Sequence, residues 1–61
     1  MPYTNSELMR FVHRLIDRYG DAAADQAMLH AEHLEQAGDH DGYAVWMRAR
    51  RLILELSRQA A

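Results

Sequence analysis

A chain of 61 residues makes one domain at most, and at this length folding buries only about 60% of the surface that the unfolded form exposes. It contains no Cys, which excludes disulfides and thiolate zinc sites, so a small core has to be supplemented by regular helix packing or by association. A formal net charge of −2 removes the overall electrostatic case for nucleic acid or an anionic membrane surface.

No apolar run approaches the roughly 18 residues that span a bilayer. The first residues, Met1-Pro2-Tyr3-Thr4-Asn5-Ser6-Glu7, lack the basic and apolar regions of a signal peptide, which sets the cytoplasm as the expected compartment. All seven basic residues are Arg. Together with ten Ala, that composition fits codon bias in a GC-rich bacterial genome better than selection for phosphate-binding forks.

The first helix is announced by Thr4-Asn5-Ser6-Glu7, a capping box. In it the Thr4 hydroxyl accepts from the Glu7 amide and the Glu7 carboxylate reaches back to the Thr4 amide. Tyr3 and Leu8 occupy the hydrophobic-staple positions around it, so helix 1 is expected over about 5–19. Leu8, Phe11, Val12, Leu15, Ile16 and Tyr19 then recur at the spacing that lays one broad apolar stripe along a helix.

Gly20 is placed to end that helix in a left-handed conformation, and Asp21 to cap the next. Helix 2 is expected over about 22–37, with an inner stripe of Ala23, Ala24, Ala27, Met28, Ala31 and Leu34. These side chains are mostly small and let neighbouring axes approach closely. Asp25, Leu29, Glu32, His33 and Gln36 fall opposite.

Gly38-Asp39 repeats the stop and start signals, and helix 3 follows over about 40–58. Its inward line is Val45, Ala49, Leu52 and Leu56, flanked by Trp46 and Ile53. Two links this short call for antiparallel neighbours: three helices running up, down and up, or a long hairpin with helix 1 folded across it. The fold class read from the sequence is all-α, three antiparallel helices with two short Gly-Asp turns, in a single domain over 1–61.

A second line on helix 3 carries the functional expectation. Tyr43, Met47, Arg50 and Leu54 follow one another at steps of 4, 3 and 4, the heptad-like spacing of a helix that meets a partner along a second seam. Leu29 on helix 2 is likewise misplaced for a monomer. These five residues are the candidate interface, and a second copy is the first candidate partner because closed two-fold homodimers dominate soluble oligomers.

His30 and His33, three apart on helix 2, could share a metal ion, with Glu32, Asp39, His40 and Asp41 near in sequence. The order His30-Ala31-Glu32-His33 matches neither His-Glu-x-x-His nor His-x-x-Glu-His, so neither a metal nor any other cofactor is expected. The Arg of helices 1 and 3 could form basic edges of a helix-turn-helix reader. The acidic helix 2 and the hairpin turn speak against nucleic acid, and the expected role of those Arg is to pair with Glu7, Asp17, Glu32, Glu35 and Glu55 or to cover apolar surface with their stems. No Ser/His/acid or Gly-rich phosphate arrangement is present, and an enzyme is not expected.

At Gly38-Asp39-x-x-Gly42-x-x-x-Trp46, followed by Ala49 and Leu52-Ile53, the chain resembles a group of small uncharacterised helical proteins from alphaproteobacteria. These share an Ala-rich helix, a Gly-Asp turn, a Trp on the next helix and an aliphatic tail. The resemblance covers about residues 21–57 and implies no activity. The same stretch also resembles a single tetratricopeptide-like helical hairpin through Gly42, Trp46 and Ala49. A lone repeat does not bury its own face, so that similarity implies a partner. The sequence thus leads to a small non-catalytic helical protein acting through protein-protein association, as a homodimer or an accessory subunit. The alternative is a regulatory module that binds metal or nucleic acid.

Overall fold

The N-cap at Thr4 fixes where regular structure begins. Its backbone is extended (φ −75°, ψ 164°) and its Oγ1 accepts the Glu7 amide at 3.2 Å, as the capping box requires. The reciprocal half differs from expectation. The Glu7 carboxylate takes the Thr4 hydroxyl proton instead, with 3.0 Å between Thr4 Oγ1 and Glu7 Oε1. The staple partner Tyr3 lies outside the described residues, which in this computed structural model are 4–60.

Helix α1 covers Asn5–Tyr19, α2 covers Ala23–Gln36 and α3 covers His40–Ala60. The chain is all-helical, with no strand among the described residues. The two Gly-Asp links, expected to be equivalent, are not. Gly20–Ala22 form a 3-10 turn that carries α1 directly into α2, so no loop residue separates helical structure over 5–36, which resumes over 40–60. There are two continuous helical stretches where the sequence suggested three separated ones.

The cause is local. Gly20 does adopt a positive φ (57°), and its N–H closes α1 by donating to the Ile16 carbonyl. The next residues then wind tightly instead of leaving the helical path. Asp21 is therefore inside the 3-10 turn and does not cap α2. Ala22 takes the N-cap position and offers no side-chain cap.

The second link behaves as the sequence says. The Asp39 amide donates to the Leu34 carbonyl (2.8 Å) and the Gly38 amide to the Glu35 carbonyl (3.1 Å), the nested pair of a Schellman motif with Gly38 left-handed (φ 81°). Asp39 then caps α3, its Oδ1 accepting the Gly42 amide at 2.9 Å.

After this turn α3 folds back along α2. Leu34 lies against Gly42, and the His30 ring lies on Trp46, so four residues along α2 match four back along α3. The same register sets Ala27 opposite Ala49 and Ala23 opposite Ile53, and all four are buried. Of the predicted inner stripe of α2, only Ala23, Ala27 and Ala31 are fully buried; Ala24, Met28 and Leu34 are half-buried. Helix α1 contributes the large buried side chains Leu8, Val12 and Leu15, with Phe11, Ile16 and Tyr19 packed around them.

Gly42 has an ordinary helical φ, but a Cβ there would stand 2.5 Å from Asp39 Oδ2, 2.9 Å from its Cγ and 3.0 Å from Leu34 Cδ1. A Gly→Ala change in a helix ordinarily stabilises by up to about 1 kcal/mol, whereas displacing the capping carboxylate costs about 1 kcal/mol. Gly42→Ala is therefore expected to leave stability within about 0.5 kcal/mol of the parent. In an Asp39→Ala background the same change should stabilise by about 1 kcal/mol. Urea denaturation of the four proteins of this cycle checks it, and equal effects in both backgrounds would show that the cap does not depend on Gly42.

Candidate functional site

Trp46 is the residue at which the three helices meet. It faces inward one turn after Gly42, with the Phe11 ring of α1 edge-on to it (centroids 4.8 Å apart, 75° between planes) and the His30 ring of α2 stacked flat on it (4.4 Å, 15°). Edge-on and stacked pairs of this kind contribute about 0.5–1.5 kcal/mol beyond area burial. His30, read from the sequence as one of two metal candidates, is thus committed to an aromatic partner. His33 is exposed on α2, and among the described residues no three His, Asp or Glu side chains come close enough to hold a metal ion.

Between α1 and α3 lies an open groove of about 420 Å³, with Leu8, Phe11, Val45 and Trp46 as its floor and Glu7, Arg10 and Arg14 at its rim. This groove was not legible from the sequence, because Phe11 and Trp46 were assigned wholly to the core. Arg10 and Arg14, one turn apart on either side of Phe11, were the available sign. None of its lining side chains is a Ser, His or Cys, and Glu7 is already engaged by Thr4.

The five candidate interface residues separate into two sets. Leu29 and Leu54 are the exposed large hydrophobic side chains of the described chain, at 50% and 43% of full exposure. Tyr43, Met47 and Arg50 are half-buried. At about 100° per residue, Tyr43, Met47, Arg50 and Leu54 share one side of α3, turned away from buried Ala49. Leu29 lies nearly opposite the Ala27 and Ala31 stripe of α2. Leu29 and the α3 line thus both lie off the buried stripes, on different helices.

Among the described residues, Arg10, Arg14, Arg50, Arg51 and Arg58 form no ion pair with Glu7, Asp17, Glu32, Glu35 or Glu55; Arg50 is half-buried, and Arg10 and Arg14 line the groove beside Leu8 and Phe11, in keeping with the expected covering of apolar surface. Such pairs on a solvated surface stabilise by about 0–1 kcal/mol, which does not by itself hold long side chains in place. Arg48 instead donates from Nη2 to Asn5 Oδ1 at 3.0 Å, joining the start of α1 to the middle of α3, a contact that no local pattern in the sequence announces.

No protein-family model, curated protein or solved structure matches the chain. No helix among the described residues is long and apolar enough to cross a membrane.

The aromatic stack has a direct readout, because Trp46 is the only Trp. Removing the ring in His30→Ala is expected to shift Trp46 fluorescence emission to the red and to lower stability by about 1 kcal/mol. Phe11→Leu, which keeps apolar bulk but loses the edge-on ring, is expected to cost a similar amount. Unchanged emission in His30→Ala would mean that the imidazole does not cover the indole in solution.

Proposed function

We propose that this chain is a small, non-catalytic bacterial protein of the cytoplasm that acts through protein-protein association, with a second copy of itself or as an accessory subunit of a larger complex. In this reading its helices form one antiparallel three-helix domain whose inner faces hold it together and whose outer faces of α2 and α3 are the working surface. The observation that carries the proposal is the exposure of Leu29 and Leu54. In each case a Leu on a helix with a well-defined buried stripe stands on the wrong side of that helix for a monomer.

Three features support it. The α3 line Tyr43, Met47, Arg50, Leu54 is continuous over three turns at seam spacing. The core is small, with α2 burying nothing larger than Ala completely, and small domains without disulfides gain much of their stability by association. The groove beside Trp46 is open and holds no paired nucleophile and base, which favours a contact role over a catalytic one.

Static light scattering over a range of concentrations tests the self-association form of this proposal, and a rising mass is the expected outcome. The pair Met47→Glu and Leu54→Glu should weaken association by at least about a hundredfold, since each fully buried apolar side chain contributes about 1.5–3 kcal/mol. The helical circular-dichroism signal should be retained. Unfolding by these substitutions would mean that the inner and outer faces of α3 have been exchanged. A protein that remains a single chain at every concentration would rule out the second copy as partner.

A further inference from the structure

The two outer faces differ in charge as well as in position. Around exposed Leu29, α2 presents Asp25, Glu32, His33 and Gln36, with the two carboxylates as its formal charges. Around exposed Leu54, α3 presents Arg50, Arg51 and Arg58, with Glu55 as the one nearby carboxylate. Asp25, Glu32, Arg50, Arg51 and Arg58 form no ion pair with one another or with any other described residue, so these charges have no counter-ion among the described residues.

The spacings also agree. Asp25, Leu29, Glu32 and Gln36 follow at steps of 4, 3 and 4, as do Tyr43, Met47, Arg50 and Leu54. Two helix faces with the same periodicity can interdigitate along their length, and complementary charge favours unlike faces meeting over like ones.

We propose that the chain associates head to tail, the acidic Leu29 face of α2 in one copy seating on the basic Leu54 face of α3 in the next. This inference rests on the self-association reading above and specifies its geometry. Like-with-like pairing would set Arg50, Arg51 and Arg58 against themselves in a closed dimer built on α3, or Asp25 and Glu32 against themselves in one built on α2. Unlike pairing neutralises both. Because the two faces belong to different helices, a copy that has used one of them in a contact still carries the other, and the assembly extends until a rotation closes it.

The experiment uses one block on each face. Leu29→Glu disables the acidic face and leaves the basic one intact; Leu54→Glu does the reverse. The parent is expected to exceed the mass of two chains as its concentration rises, and to dissociate at least tenfold more readily in high salt than in low salt. Each variant alone should stay a single chain with an unchanged helical signal, and an equimolar mixture of the two should give a complex of two chains. As a milder block, Glu32→Arg should also weaken assembly by about tenfold or more and keep the fold where a Leu variant might not. If Leu54→Glu is monomeric but Leu29→Glu still forms dimers, the contact is α3 on α3 and the head-to-tail geometry is wrong while association stands. The geometry also falls if the mixed variants fail to combine although the parent assembles. A parent that never leaves the single-chain mass overturns both readings.

Discussion

The arrangement depends on α2 having only alanine to bury. Ala23, Ala27 and Ala31 are its only fully buried residues, so the axis of α3 can approach closely where Ala49 meets it. Each buried methyl contributes only about 0.8 kcal/mol, and the three together are worth about as much as one buried Leu. Close approach is gained at the expense of hydrophobic driving force. A hairpin of α2 and α3 is therefore well shaped but poorly stabilised, and the large apolar side chains have to come from elsewhere.

They come from α1. Leu8, Val12 and Leu15 are the long side chains that are fully or nearly fully buried, apart from Ile53 on α3. This gives Trp46 its importance: Phe11 and His30 sandwich it from two different helices, so the ring transmits the position of α1 to the hairpin. The 3-10 turn at Gly20–Ala22 serves the same end. By joining the helices through a left-handed Gly20 and one tight turn, with no loop residue between, it sets α1 in a fixed relation to α2, where a flexible loop would leave the supply of bulk uncertain.

How far the sequence was legible depends on the range of the interaction concerned. The Thr4 cap and the Gly38-Asp39 turn are made by residues within five positions of one another, and both formed where the residue types placed them. Gly20-Asp21 looks the same in sequence, yet it folds differently because Gly20 closes α1 onto Ile16 without freeing any residue to become an extended cap. The apolar stripes were readable as periodicity, but not which members would be fully covered, since that depends on which helix lies above them. For the candidate site, the line on α3 could be traced, whereas which of its members stay exposed, Leu54 but not Tyr43, Met47 or Arg50, depends on what lies beside them in the fold. The Arg48 to Asn5 bond and the groove beside Phe11 join residues more than thirty positions apart, and no local pattern encodes them.

The same shortage of bulk bears on the outer faces. Leu29 lies off the Ala23, Ala27 and Ala31 stripe and is half exposed, so that residue is either a cost or a contact. A cost is readily removed, because a polar residue at position 29 would improve helix solvation without touching the core. The same holds for Leu54, which sits beside Arg50 and Arg51 where a polar residue would serve a monomer equally well. An exposed Leu on each of the two helices, one near carboxylates and one near guanidinium groups, gains a role if both faces are met. Charge decides the pairing. Two arginine-rich faces brought together would lose solvation without gaining a counter-ion, and two acidic faces would do the same. An acidic face set against a basic one regains in the contact much of what desolvation takes, and the two leucines then supply the apolar area that charges at a solvated rim do not.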